Sequence, residues 1–266
     1  MRNAEFLAKY GPWAVVLGAS RGLGKAYARE LAVRGLNVVL VARSKQPLEE
    51  VAADLEDRGA EALVIAKDLS APDAIEELSK DTSHIEVGLV VINAALAPTG
   101  PLLDDERTKL ELAVTLNCAA SLRAVHCFGN RLAQHRRGGI VIMSSLAGMQ
   151  GSPKIATYAA TKAFLLVLGE SMWGELREQG VDVLVCAPGA VATPGFLAGG
   201  TEGAKKLGPI VMAPEKVVSG ALRRLPRGGT YVPGVLNKLG RWALGHLVPR
   251  RVAVRIMGRV GSLLTR

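Results

Sequence analysis

Tyr158 and Lys162 stand four apart in a run, Thr157–Leu176, of helical composition and without proline. Residues at i and i+4 share a helix face, so this spacing sets an ammonium beside a phenol. A fixed cation favours phenolate and lowers a pKa that is about 10 unperturbed, which makes a usable acid/base near neutral pH. Ser145 lies thirteen positions before Tyr158, just after the apolar run Ile140-Val141-Ile142-Met143. A hydroxyl at the carboxyl end of a buried strand, facing that helix, can polarise a carbonyl oxygen. Y-x-x-x-K also occurs by chance in many helices, so its weight depends on what precedes it.

What precedes it is a series of strand–turn–helix units. Trp13-Ala-Val-Val-Leu-Gly18 is an apolar run that stops at glycine, as a buried parallel strand does. It leads through Gly18-Ala-Ser-Arg-Gly22-Leu-Gly24 into a helix expected over 25–34. Glycines here let a pyrophosphate approach the backbone and the helix N-terminus, whose free N–H groups favour anions; a bare glycine turn is the alternative. The second strand, 37–43, ends at Arg43, followed by Ser44 and Lys45, while Arg21 sits inside the glycine turn. An acid at that strand end prefers a ribose 2′-hydroxyl, whereas arginine accommodates a 2′-phosphate. The expectation is therefore NADP(H) rather than NAD(H), against a reading of these arginines as solvated surface charges.

Further strands are expected at 61–66, 87–92, 140–144 and 181–187, with helices at 47–57 and roughly 104–134. Asp68 has two readings, acceptor for an adenine amino group or N-cap of a helix starting near Pro72. Strands alternating with helices at this rhythm predict a doubly wound α/β fold with a parallel sheet in a single domain.

Gly18-x-x-x-Gly22-x-Gly24, Asn93-Ala94-Ala95, Asn117, Ser145, Tyr158-x-x-x-Lys162 and Pro188-Gly189 occur in that order. Over about residues 11–232 the chain resembles the short-chain dehydrogenase/reductase family, and its first 95 residues are most similar to the branch holding 3-oxoacyl-CoA reductases and 17β-hydroxysteroid dehydrogenases. The resemblance implies a Rossmann-type sheet and NADPH/NADP+ as cofactor. It also implies catalysis by Asn117, Ser145, Tyr158 and Lys162. Tyr158 would protonate the substrate oxygen, Ser145 would hydrogen-bond it, Lys162 would lower the phenol pKa and bind the nicotinamide ribose, and Asn117 would hold a relay water. Implied cofactor contacts are Gly18, Ser20, Arg21, Gly22, Leu23, Gly24, Arg43, Ser44, Asp68, Leu69, Asn93, Ala94, Tyr158, Lys162, Pro188, Gly189, Val191 and Thr193. The carboxamide would rest on Thr193 and the Val191 backbone. Leu17 stands where the family has threonine, and Ala95 replaces the glycine of N-A-G.

Composition sets the outer bounds. The 266 residues are 49% hydrophobic and 21% charged, enough for one large core. No apolar run nears the roughly 18–20 residues that span a bilayer, and the first residues show no signal-peptide h-region. Cys118, Cys127 and Cys186 have no CxxC spacing, which predicts free thiols in a reducing, cytoplasmic setting. His84, His126, His135 and His246 are scattered, so no metal site is expected.

Residues 203–266 hold 13 Lys/Arg and one acid, whereas residues 1–202 hold 20 Lys/Arg and 23 Asp/Glu. Residues 194–214 are glycine-rich with Phe196, Leu197, Leu207, Ile210, Val211 and Met212 interspersed. They read as a lid over a hydrophobic carbonyl or alcohol substrate, or as a loop packed on the body. Beyond residue 232, two basic amphipathic helices split by Pro249 are expected, with Arg251, Arg255 and Arg259 in a row beside Val252, Ile256, Val260 and Leu263. Peripheral contact with the inner face of a membrane is one reading; docking on the body or on a partner subunit of a homo-oligomer is the other. Basic residues without interleaved aromatics exclude a base-stacking nucleic-acid surface. The competing functional class is a non-catalytic nucleotide-binding or scaffold protein.

Overall fold

The computed structural model describes residues 3–198 and 208–264, so residues 199–207 of the expected lid, Leu207 included, lie outside the described residues. Six apolar runs form β1 (Trp13–Leu17), β2 (Asn37–Ala42), β3 (Ala62–Ala66), β4 (Val87–Ile92), β5 (Gly139–Met143) and β6 (Asp182–Cys186), each within a residue of expectation. A seventh, β7 (Gly229–Tyr231), completes a sheet of order β3-β2-β1-β4-β5-β6-β7. Every pairing is parallel. The chain winds outward from β1 to β3, then returns to place β4 on the other side of β1. That reversal leaves a crevice at the carboxyl ends of β1 and β4, where ligands of open α/β sheets bind.

Side chains alternate across the sheet and so fill two cores. Ala14 and Val16 face Tyr27 and Leu31 of α2 (Gly22–Val33), Leu48 and Leu55 of α3 (Lys45–Glu56), and Val217 and Leu222 of a helix over Pro214–Arg224. Val15 and Leu17 face Ile75 and Leu78 of α4 (Ala74–Asp81), and Leu165 and Leu176 of a helix over Ala156–Arg177. All six residues of β4 are buried. Each fully buried aliphatic side chain there contributes about 1.5–3 kcal/mol.

Several details differ from expectation. An N-terminal helix, α1 (Asn3–Tyr10), buries Phe6 and Tyr10, and the Tyr10 hydroxyl donates to Asp182 Oδ2. Only these two of its eight residues are buried, too few to announce a helix by periodicity. β7 has only three residues, Gly-Thr-Tyr, and no pattern of its own. The long helix near 104–134 resolves into α5 (Arg107–Val114), a π turn at Thr115–Ala119, and α6 (Ala120–His135). As one stretch, Arg107–His135 is long and apolar enough to cross a membrane, against the expectation from apolar runs. Its apolar side, with Ala124, Phe128 and Leu132, is instead spent on the core.

Downstream, α7 (Ala156–Arg177) follows β5, and α8 (Pro194–Ala198) follows β6. Next come α9 (Pro214–Arg224), α10 (Val235–His246) and α11 (Arg250–Leu264). α11 rests on the body through Ala253, Val254 and Gly258: Val254 approaches Gly151, and Gly258 approaches Pro153. The expected stripe is not the docking side, because Val252 and Ile256 are exposed. The side chains of Val260 and Leu263 lie outside the described residues.

Candidate active site

The glycine turn begins as β1 ends. Gly18 and Gly22 have φ of 81° and 57°, the left-handed region that favours glycine. A Cβ at Gly24 would lie 1.9 Å from the Gly18 carbonyl oxygen, so this contact admits no side chain. α2 starts at Gly22, three residues earlier than expected, and Arg21 caps it without a side-chain hydrogen bond. The first N–H groups of α2 thus meet no capping side chain from Arg21, as an anion site requires. Asn93 Nδ2 donates to the Gly18 carbonyl at 3.0 Å and braces the turn from β4. Leu17, which offers the turn no hydroxyl, is a core residue. Ala94 lies against Gly18, close enough that a Gly18 Cβ would come within 2.8 Å of its Cα.

At the end of β2, Arg43 and Ser44 are exposed, as is Arg21. Asp68 accepts from the Ser70 hydroxyl at 2.7 Å and the Ser70 N–H at 3.0 Å. These bonds, helped by the Arg43 charge, hold its carboxyl below the ordinary value. The helix that follows is capped at Asp73, which removes the N-cap reading of Asp68. Leu69 is buried in the core. Ser20 and Leu23 are partly exposed on the glycine turn.

The chemistry-bearing residues gather where β5 ends. Lys162 Nζ lies 5.6 Å from the centre of the Tyr158 ring, as the i, i+4 spacing predicts. Lys162 is only 3% exposed, and its ammonium donates to the Met143 carbonyl at 2.6 Å. Burial pushes its pKa down from 10.5 to about 8. The Tyr158 hydroxyl moves up, opposite to what an ammonium alone would do: desolvation dominates, and the hydrogen bond with Ser145 only opposes it. Ser145 Oγ accepts from the Ala147 N–H at 3.2 Å and makes a long contact of 3.5 Å to the Pro188 carbonyl. Gly148 lets this turn press against α7, since a Cβ there would lie 2.5 Å from the Lys162 backbone.

Asn117 sits fully buried in the π turn. Its amide donates to the Leu96 carbonyl at 2.8 Å and to Thr161 Oγ1 at 2.9 Å, and its Oδ1 accepts from the Leu96 N–H at 2.8 Å. It therefore ties the loop after β4 to the turn of α7 that carries Lys162. On the other rim, Thr193 Oγ1 accepts from the Phe196 N–H at 3.3 Å and caps α8. Thr193 also overhangs the glycine turn: a Cβ at Gly22 would come within 3.2 Å of its Cβ and Cγ2. Val191 pairs with Met212, which fastens the far end of the 194–214 segment to the chain just after β6. The crevice therefore has the cradle, the free helix end and the polar rim that a dinucleotide needs.

The family described as short chain dehydrogenase matches residues 12–198. The chain belongs to it. A 7beta-hydroxysteroid dehydrogenase of Clostridium sardiniense is 34% identical over 235 residues, covering 88% of this chain and 90% of that protein. A very-long-chain 3-oxoacyl-CoA reductase of Neurospora crassa is 32% identical over 258 residues, covering 92% of this chain and 76% of that protein. A solved 7beta-hydroxysteroid dehydrogenase superposes with a TM-score of 0.89 at 31% identity, over 95% of this chain and 98% of its own. A short-chain dehydrogenase from Sphingobium yanoikuyae, solved with NADPH, superposes at 0.78 with 29% identity, over 89% and 93%. This short-chain dehydrogenase is thus an oxidoreductase of the class acting on CH–OH and C=O groups.

Site residues of this short-chain dehydrogenase that the motifs did not announce are Thr161, Ser144 and Asn237. Ser144 Oγ donates to the Lys162 carbonyl at 2.7 Å, locking β5 to α7. Asn237, buried in the first turns of α10, donates to the Pro233 carbonyl at 2.9 Å and packs against Gly189 and Met212. A polar residue inside an apolar basic helix was the available signal.

Proposed function

We propose that this short-chain dehydrogenase reduces a ketone on a hydrophobic, lipid-like substrate with NADPH, Tyr158 serving as general acid. The observation that carries the reading is the junction of Ser145, Tyr158 and a buried Lys162 at the carboxyl end of β5. When bound, the cofactor supplies the hydride. The chain's residues do the rest. Tyr158, its pKa raised by burial, holds its proton until a developing alkoxide takes it. The weak Ser145–Pro188 contact at 3.5 Å is readily exchanged for a substrate carbonyl oxygen. Lys162, titrating at about 8, can give and regain a proton near neutral pH. Both N–H groups of the Asn117 amide are engaged, so a relay water would meet the remaining Oδ1 lone pair or a backbone carbonyl of the widened π turn.

The glycine turn and the start of α2 would take the pyrophosphate, and Arg21 and Arg43 the 2′-phosphate. Asp68 would accept from the adenine, Asn93 and Ala94 would flank the ribose, and Pro188 to Thr193 would hold the carboxamide. Support for NADPH comes from the exposed guanidinium groups of Arg21 and Arg43 and from the NADPH complex of a structural relative. Support for an apolar ketone comes from Leu197 and Ile210, exposed on the lid segment, and from the steroid and acyl-CoA names of the relatives. We also propose a homo-oligomer, on the strength of exposed Leu122, Phe164 and Val167 on α6 and α7. A non-catalytic nucleotide binder would have no use for the intact triplet.

The test is Tyr158→Phe. Turnover of 3-oxoacyl thioesters, ketosteroids or retinoid-type carbonyls should fall about 10²–10⁴-fold, with NADPH binding nearly unchanged. Wild type and variant equally inert across that panel would remove the catalytic reading.

A further inference from the structure

The two C-terminal helices differ in what they turn toward solvent. On α10 the i, i+4, i+7 and i+11 spacing puts Val235, Leu239, Trp242 and His246 on one side. That side looks away from the body: Val235 is 71% exposed, Leu239 58% and Trp242 53%, and the adjoining Leu236 and Leu247 are 55% and 65%. Asn237, on the opposite side, is the buried residue that fastens the helix. Lys238 and Arg241 flank the apolar sector. α11 repeats the mixture, with Val252 and Ile256 exposed beside Arg251, Arg255 and Arg259. A contiguous exposed patch of leucine, valine and tryptophan is more than the scattered apolar residues of an ordinary surface.

Charge decides what covers it. Residues 235–266 contain seven Lys/Arg and no Asp or Glu. A second copy seated on this face through a two-fold axis would bring the two cationic sets together with no acid to neutralise them. An anionic bilayer offers the complement of both features: phosphate for the cations and an interfacial region that accepts leucine and indole side chains.

We propose that α10 and α11 form a peripheral docking surface for an anionic phospholipid membrane, with Leu236, Leu239, Trp242 and Leu247 inserted at the headgroup boundary. Asn237 ties α10 to Gly189 and Met212, so docking puts the rim of the crevice at the lipid surface. An apolar substrate would then pass from bilayer to crevice without crossing water. The docking face stands on its own exposure and charge, whatever carbonyl the crevice takes.

The test uses the full chain with phosphatidylglycerol-containing and pure phosphatidylcholine vesicles over a salt series. Wild type should co-sediment with the anionic vesicles only, and release as salt rises. Leu239→Ser with Trp242→Ser, both exposed and so compatible with folding, should lower the partition coefficient at least tenfold. Arg251→Gln with Arg255→Gln and Arg259→Gln should lower it by roughly 5-fold per cation and flatten the salt dependence. Trp242→Phe should abolish the vesicle-induced blue shift of fluorescence while keeping sedimentation. Absence of wild-type binding at low salt, or equal pelleting of wild type and the Leu239/Trp242 variant, overturns the proposal. So does a wild-type dimer, seen by light scattering, that the Leu239/Trp242 variant dissolves while vesicles capture neither.

Discussion

α7 and the α10–α11 pair both carry cations beside apolar side chains, and they treat them in opposite ways. α7 draws Lys162 into the protein, gives its ammonium one backbone carbonyl, and lets desolvation move its pKa to about 8. α10 and α11 leave their cations and much of their apolar surface facing outward. A buried charge costs free energy that only hydrogen bonds and pairing offset. An exposed charge costs little, and is free to act on something outside the molecule. The same residue types thus serve chemistry in one place and surface attraction in the other.

The largest effect that would sharpen this contrast is on stability against pH. Lys162 has a folded pKa of about 8 against 10.5 unfolded, so between those values the unfolded chain holds more protons. Stability should therefore rise with pH across that window in wild type relative to Lys162→Met, by about 3 kcal/mol in all. Below pH 8 the difference should be constant. Denaturant midpoints of both proteins at matched pH measure it; parallel curves would mean that Lys162 is not desolvated. Removing the exposed arginines of α11 should leave the curve unchanged.

Next comes the glycine cradle. Gly24→Ala forces a methyl to 1.9 Å from the Gly18 carbonyl, so the turn must open. A stability loss of about 1–3 kcal/mol is expected, together with weakened binding of either nicotinamide cofactor. Urea unfolding and fluorescence titration report both. Arg43→Asp acts at the exposed end of the same crevice and should spare stability. It should weaken NADPH by about 1–3 kcal/mol and spare or improve NADH, so a wild type that prefers NADH would reverse the cofactor reading.

The smallest effect lies where α10 meets the rim of the crevice. Asn237→Ala removes the bond to Pro233 and the support behind Gly189, and should cost about 1 kcal/mol. If Asn237 links the tail to the crevice, KM for the cofactor should rise more than kcat falls. An unchanged KM would confine its role to folding.

Much of the architecture followed from neighbours along the chain. Short apolar runs specified six strands, because parallel strands buried on both faces need continuous aliphatics. Gly18, Gly22 and Gly24 specified the cradle, the first two because their left-handed φ favours glycine and the third because no Cβ fits against the Gly18 carbonyl. The i, i+4 spacing alone put Tyr158 beside Lys162. Other features depended on residues far apart. Asn117 reaches Thr161 across 44 positions, and Tyr10 is buried against Asp182. Neither contact leaves a local period to read, which is also why α1 and β7 were not legible. The sign of the Tyr158 shift, the Ser70 partner of Asp68 and the outward side of α10 were likewise decided by tertiary packing. Desolvation and exposure are properties of what surrounds a side chain in space, and a helix's own amphipathic pattern does not say which side meets the body.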